Sequence, residues 1–288
     1  MNKANSAIYK IINFPLTKII LGLIACIVTA GIVQFGFVSL FNNTTINKDV
    51  KNFIGGAIAA ISVAFVYMLV YSQIEKRKIS ELSVNNLSKN IFTGIVLGVV
   101  LQSLTIFVIY LDKGFSIISV NSFTYLLPSL TMGFTAAILE EILFRGIIFR
   151  ITEEKLGSYL SLLISALLFG AIHLMNPNSS LIAAFGLAIQ AGFLLGAAYI
   201  YSRNLWFPIA IHFAWNFTQS GIFGAATSGN NVGKSLITSK IEGNEWITGG
   251  KFGPEGSVQA TLFCLMAAII LLALSKKQNK IINPYWKK

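Results

Sequence analysis

The stretch FTYLLPSLTMGFTAAILEEILFRGIIF, Phe123–Phe149, decides the fold. It is long enough and apolar enough to cross a bilayer, which takes about 20 such residues. Yet it carries Glu140, Glu141 and Arg145 in its interior. Ionisable groups at that depth cost roughly 2.5–3.5 kcal/mol each even on lenient insertion scales, so they are normally paired or functional. On either side the same unit recurs, an apolar run followed by a charged flank. Counting such runs gives eight expected spans, near 19–41, 53–74, 90–111, 123–149, 158–175, 180–201, 205–224 and 258–275. The expected fold is all-α, a polytopic integral membrane bundle of about eight transmembrane helices.

Composition agrees. Of 288 residues, 55% are hydrophobic and 11% charged, with a mean hydropathy of +0.71. Soluble domains carry about 25% charged residues. The net charge of +11 lies at span ends rather than on one amphipathic face or in an Arg-rich tract, which argues against a nucleic-acid partner. Lys3, Lys10, Lys18, Lys76, Arg77, Lys78, Lys89, Arg145, Arg150, Lys155, Arg203, Lys276, Lys277, Lys280, Lys287 and Lys288 fall on one side of an eight-span alternation. Only Lys48, Lys51, Lys113, Lys234, Lys240 and Lys251 fall on the other. The positive-inside rule then places both termini in the cytoplasm.

The first apolar run, Ile19 to Leu40, is longer than the ~7–15 residues of a cleaved signal core, so it reads as a retained span. The terminal NPYWKK has no lipidation motif. Cys26 and Cys264 sit singly in apolar runs and read as inert buried thiols. Gly94-x-x-x-Gly98 and Gly192-x-x-x-Gly196 have the spacing that lets helices approach closely. The Gly/Ser/Asn-rich stretch 225–257 reads as a long, mobile external loop. The expected organisation is spans 1–3 in 1–122, a core of spans 4–7 in 123–224, the external loop 225–257, and a last span with a basic cytoplasmic tail in 258–288. No internal repeat of the inverted-transporter kind is visible.

Three short patterns carry the chemistry: Glu140-Glu141-x-x-x-Arg145, Phe169-x-x-x-His173 and His212-x-x-x-Asn216. His173 and His212 are the only two histidines. Adjacent helical residues diverge by about 100°, so Glu140 and Glu141 face different ways. Glu141 and Arg145, four apart with the acid first, have the favourable order for a helical ion pair. Glu140 is left without a local partner. Phe169 lies one turn before His173 and can wall its ring; His212 and Asn216 share a face of span seven. Taken singly, His173 reads as a structural residue bonded to a carbonyl, and His212 with Asn216 as an interhelical hydrogen-bonding pair. Taken jointly, they read as a site.

A carboxylate in a dry site is a competent general base near neutral pH. Imidazole and amide N–H groups are the parts of an oxyanion hole. That inventory describes a hydrolase that activates water directly, with no GxSxG nucleophile motif. The competing inventory is zinc held by Glu140, His173 and His212, with Asn216 outside the ligand set, although HExxH is absent.

The ordered set EExxxR, FxxxH and HxxxN resembles the CPBP family of intramembrane proteases, which takes in CAAX-processing endopeptidases and bacteriocin-processing or immunity relatives. The resemblance covers roughly residues 124–220, including Phe144 to Gly146 and LWFPIAIHFAWN from Leu205. It implies that Glu140 deprotonates the attacking water with help from His173, that His212 and Asn216 stabilise the oxyanion, and that Glu141 and Arg145 brace the helix. It leaves open a metal-free and a metal-dependent reaction; the donor set favours the first, with no cofactor required.

The expected function is an intramembrane endopeptidase acting on a membrane-associated or lipid-anchored substrate, with no obligate partner beyond the bilayer. The alternatives are a non-catalytic immunity or scaffold protein and a proton-coupled transporter. The Asn/Lys/Ile-rich composition points to an AT-rich bacterial source and the plasma membrane. It favours a leader peptide, pheromone precursor or bacteriocin over a prenylated CAAX protein. One tension remains. At 1.5 Å per residue, His212 stands about 10 Å above Leu205, but His173 about 22 Å above Ser158. The two meet only if span five is tilted, starts late or ends irregularly, as the Asn176-Pro177-Asn178 break suggests.

Overall fold

The computed structural model describes residues 7–231 and 233–287, with side chains from Lys10 onward among the N-terminal residues. Lys3 and Lys288 of the charge count lie outside them. A short helix α1 (Ala7–Ile12) precedes α2 (Pro15–Phe41), whose first position is a proline with no N–H to leave unsatisfied. The helix α3 (Lys48–Glu75) opens where the Asn47 side chain accepts from the Asp49 N–H, and α4 is Leu87–Leu111. Next come β1 (Phe115–Val120) and α5 (Leu127–Glu141), which passes through a π-helical stretch, Ile142–Phe149, into α6 (Arg150–Ile172).

The continuous segment Phe123–Met175 has 53 residues. At about 1.5 Å per residue it is more than twice the ~30 Å of a bilayer core. It is folded double at Gly157, where φ is +73° and ψ 170°. A Cβ there would come within 2.6 Å of the Pro284 nitrogen and 2.8 Å of the Ile282 carbonyl, so the turn needs glycine for both conformation and space. The two arms run antiparallel: Phe144 and Phe169 meet edge to face at 4.9 Å, and Ser165 Oγ donates to the Phe144 carbonyl at 3.4 Å.

After the hairpin, α7 (Leu181–Leu187), a π-helical stretch Ala188–Phe193 and α8 (Leu194–Ser202) form one crossing. The helix α9 (Trp206–Asn216) continues as π-helix through Phe217–Ile222. Then follow β2 (Ile237–Ile241), a single turn α10 (Glu245–Thr248), and α11 (Val258–Lys277), capped by Ser257 on the Ala260 N–H. Six helices among the described residues are long and apolar enough to cross a membrane. Separating the hairpin arms and adding the shorter α9 segment gives the eight crossings expected. The protein is a polytopic helical bundle.

Gly94 and Gly98 face α9, where a Cβ would meet the Phe207 carbonyl at 2.8 Å and the Ile211 carbonyl at 2.5 Å. The Gly-x-x-x-Gly spacing therefore sets the α4–α9 approach as expected. Both cysteines are free and buried.

Three features depart from the sequence reading. First, β1 and β2 pair antiparallel, from Phe115↔Ile241 to Val120↔Ile237, with an irregularity between Ile117 and Ser119. These segments, FSIISV and ITSKI, are rich in β-branched residues, which favour the extended ladder. Second, 225–257 is a cap docked on the helix ends rather than a loose loop. Its backbone bonds are made to the bundle: Leu236 N–H donates to the Gly221 carbonyl (2.7 Å) and Ala225 N–H to the Gln219 carbonyl (3.0 Å). Asn176 and Asn178 donate to the carbonyls of Ser228 and Gly229, both at 2.9 Å. Third, Arg145 is not a flanking charge, because it is fully buried in the bundle. The other basic flanks do gather at one end. There Lys18, Arg77 and Arg150 converge on Glu75, and Arg203 pairs with Glu153 at 2.6 Å. At the other end Lys234 pairs with Asp49 at 2.8 Å.

Candidate active site

The helix α5 ends on Glu140 and Glu141, and their side chains part as adjacent helical residues must. Glu141 is wholly buried, whereas the Glu140 side chain keeps 25% of its surface accessible and faces an interior cavity. Glu141 Oε1 accepts from Arg145 Nη1 at 2.8 Å, the ion pair expected from the spacing. The same oxygen accepts from His212 Nδ1 at 3.0 Å, a link between α5 and α9 that the spacing does not show. Glu141 is therefore more than a brace of its own helix. By accepting from Nδ1–H it orients the imidazole so that Nε2 faces Glu140 Oε2, 3.9 Å away.

Arg145 is held on its far side by the Ala191 and Gly192 carbonyls, at 2.7 and 3.0 Å. Both acceptors lie in a π-helical stretch, where the altered register frees carbonyls from the α ladder. Two more π-helical stretches begin directly after Glu141 and directly after Asn216. All three abut the polar cluster.

Phe169 does more than wall His173. Its ring stacks on that imidazole at 4.6 Å, meets His212 edge-on at 6.3 Å, and lies 5.0 Å from the Arg145 guanidinium carbon. His173 Nδ1 donates to the Phe169 carbonyl at 2.7 Å, as a structural histidine would, leaving Nε2 as an acceptor. Asn216, one turn after His212, is 8% exposed, and its backbone carbonyl accepts from Ser220 Oγ at 2.7 Å.

The depth tension is resolved, though not by an irregular fifth span. The α6 arm is helical from Ser158 to Ile172, with only a 3-10 turn at His173–Met175. Instead α9 starts late. The Leu205 N–H donates to the Glu81 carbonyl at 2.8 Å, and a Cβ on Gly146 would lie 3.4 Å from the Leu205 side chain. Leu205 thus stands level with Gly146, 11 residues and about 16 Å up the α5 arm from Gly157. That offset puts His212 about 26 Å above the turn, close to the height of about 24 Å of His173 on the other arm.

Glu140, Phe169, His173, His212 and Asn216 all line one cavity of about 360 Å³. Its flank is apolar, with Ala136, Leu187, Leu194 and Ile211; its outer end is polar, with Asn176, Thr227, Ser228, Asn230 and Glu255. Sequence reading missed Glu255, an acid in a polar Gly-rich stretch with no periodic signal. Among the described residues no three His, Cys, Asp or Glu side chains are grouped to hold a metal ion.

The structure places an acid, two imidazoles and an amide around one interior cavity of a helical membrane bundle. Residues 122–218 match the family model described as Rce1-like, Type II CAAX prenyl endopeptidase Rce1-like, consistent with a CPBP-family intramembrane protease. All seven residues of the three patterns lie within the match. It supports an intramembrane endopeptidase in general, with a membrane-associated peptide or protein as substrate, in a multi-pass membrane protein. No curated protein and no solved structure was found to match the chain.

Proposed function

We propose that this protein hydrolyses a peptide bond of a membrane-associated substrate with Glu140 as general base and no metal. The observation that supports it best is Glu140 Oε2 lying 3.9 Å from His212 Nε2 at the edge of a cavity that also holds His173 and Asn216. A gap of that size is bridged by one water or one carbonyl oxygen. The metal-free reading rests on the donor set, in which the neutral Asn216 amide is a poor zinc ligand and a good oxyanion donor.

Glu140 takes a proton from the substrate water while His173 Nε2 accepts its second hydrogen. The resulting hydroxide adds to the scissile carbonyl carbon. The negative charge moves to the carbonyl oxygen, which accepts from the Asn216 amide and from His212 Nε2–H. For His212 to donate there, it must be the imidazolium, with Nδ1–H retained on Glu141. Glu140 then returns its proton to the departing nitrogen, the C–N bond breaks, and a carboxylic acid and an amine are released. Arg145 and Phe169 act through others: Arg145 fixes Glu141, and Phe169 holds the two rings apart. The low-charge Asn/Lys/Ile-rich chain is consistent with a bacterial plasma-membrane enzyme acting on a leader peptide, pheromone precursor or bacteriocin.

The test is comparative peptidomics of membranes from cells bearing wild-type protein or Glu140→Gln, followed by purified protein on the peptide identified. Cleavage by the wild type and none by the variant is expected, with the rate unchanged by 1,10-phenanthroline. Equal peptide profiles with both proteins present at equal amounts would overturn the reading.

A further inference from the structure

The match ends at residue 218, yet the cavity is closed by a residue far beyond it. Glu255 lies in a short 3-10 turn, Pro254–Gly256, ahead of α11, and is 1% exposed. Its carboxyl accepts from the backbone N–H of Ser228, a neutral donor. No Lys or Arg lies among the residues lining the cavity, although Glu140 and Glu255 both do.

A second acceptor stands beside it. Gln190 Nε2 donates to the Glu255 backbone carbonyl at 2.6 Å and to Thr261 Oγ1 at 2.8 Å. Because a carbonyl only accepts, the amide orientation is fixed. Gln190 is one of the residues lining the cavity, and its buried Oε1 has no partner among the described residues. Buried carboxylates in proteins are ordinarily matched by a cation. Here the outer end of the cavity offers a carboxylate and an amide oxygen with no Lys or Arg beside them; His173 and His212 are the basic side chains in the lining. Burial pushes the Glu255 carboxyl up to about 7, as fits a charge whose counter-ion is missing.

We propose that Glu255, with Gln190, determines specificity by receiving a cationic group of the substrate peptide, a Lys or Arg side chain or a free N-terminal amine, at the outer end of the cavity. This deepens the hydrolase reading and rests on it for the word substrate. A donor-rich group satisfies both acceptors at once. The same lining disfavours a C-terminal carboxylate, which would meet Glu255 with no cation to offset it.

The experiment uses full-length Glu140→Gln protein in detergent micelles, which cannot turn peptide over. Three C-terminally labelled peptides of 20 Leu and Ala residues serve as probes. One is acetylated with a central Lys, one acetylated with norleucine there, and one has norleucine and a free amine. Fluorescence anisotropy should show at least one cationic probe bound about tenfold or more tighter than the neutral one, and which of the two identifies the source of the charge. Adding Glu255→Gln should bring that ratio to about twofold or less. The ratio does not depend on how much variant protein folds. Equal affinity for all three, binding of none, or a ratio that survives Glu255→Gln overturns the proposal. A residue that only braces the cap would weaken all three probes alike. Cleavage of the probes by wild-type protein is scored separately. Cleavage without cation preference leaves the hydrolase and removes this inference; cation-selective binding without cleavage does the reverse.

Discussion

The acids at the basic end of the bundle and the acids around the cavity live under opposite rules. At the basic end every buried carboxylate has a cation, often more than one. Glu75 meets Lys18, Arg77 and Arg150; Glu81 meets Arg77 and Arg150 and also accepts from Tyr67; Glu153 meets Arg203. Around the cavity only Glu141 is so treated, by Arg145. The ion-pair contact of Glu140 is with a histidine at 3.9 Å, and the Glu255 carboxyl accepts from the neutral Ser228 N–H. The difference teaches which carboxylates hold the fold and which are kept for something else. A paired carboxylate is poor at taking a proton; an unpaired one in a cavity is poised to do so.

The comparison breaks most sharply at Glu140. Glu140→Gln should lower turnover by about 10²–10⁴-fold, the range of a general base, with the thermal transition little moved because Glu140 has only the loose 3.9 Å contact with His212. A large drop in melting temperature would put Glu140 among the structural acids instead. Next comes Arg145→Met, which strands Glu141 as a buried charge. Breaking such a pair costs about 3–5 kcal/mol, read as loss of folded protein in a thermal or denaturant series. Glu141→Gln should resemble it and also reduce turnover per folded molecule, since His212 Nδ1–H loses its anionic acceptor. The sequence alone predicts mainly a loss of yield, so the turnover of this variant separates the two views.

Asn216→Ala should cost about 2.7–4 kcal/mol in kcat/KM, the size of one oxyanion donor, with substrate affinity nearly unchanged. A matching loss of affinity would mean that Asn216 binds the ground state. Smaller still is the contrast in pH response between Glu81 and Glu255, both outside the spanning segments. Burial raises the Glu81 carboxyl, but hydrogen bonds from Arg77 and Tyr67 outweigh it and hold it below its ordinary 4.5. Its contribution to stability is present above that value and is lost as pH falls through the lowered one. Glu255 is raised to about 7, so its contribution is present below 4.5 and is lost as pH rises through about 7. Melting curves from pH 2 to 8 should therefore flatten between 4.5 and about 7 in Glu255→Gln and below 4.5 in Glu81→Gln. Least of all, Lys234→Ala should shift stability by under about 1 kcal/mol, as for any exposed pair, although Lys234 bonds Asp49.

The crossings and the ordered site patterns were legible in the sequence because both follow local spacing: apolar run length, and one helical turn between partners. The turn at Gly157 fell where two apolar runs part. What stayed hidden was non-local. That His212 rests on Glu141 depends on the offset of α9 against α5, which no interval within either helix encodes. Arg145 was counted as a flank because a lone arginine near a span end looks the same whether it faces out or in. Glu255 was invisible for a stronger reason. It lies 39 residues beyond Asn216 in a stretch whose Gly, Ser and Asn content reads as loop, and only tertiary folding turns it inward.

The late start of α9 has a hydraulic consequence. The space below it is filled by the connector carrying Glu81, by Tyr67 and by the Arg77–Arg150 network. None of the residues lining the cavity comes from that end. The vessel is stoppered at its basic foot and open toward the cap and the flank. Water and peptide would then reach Glu140 from the cap or the flank, and the polar residues Asn176, Ser228 and Glu255 line the cap side.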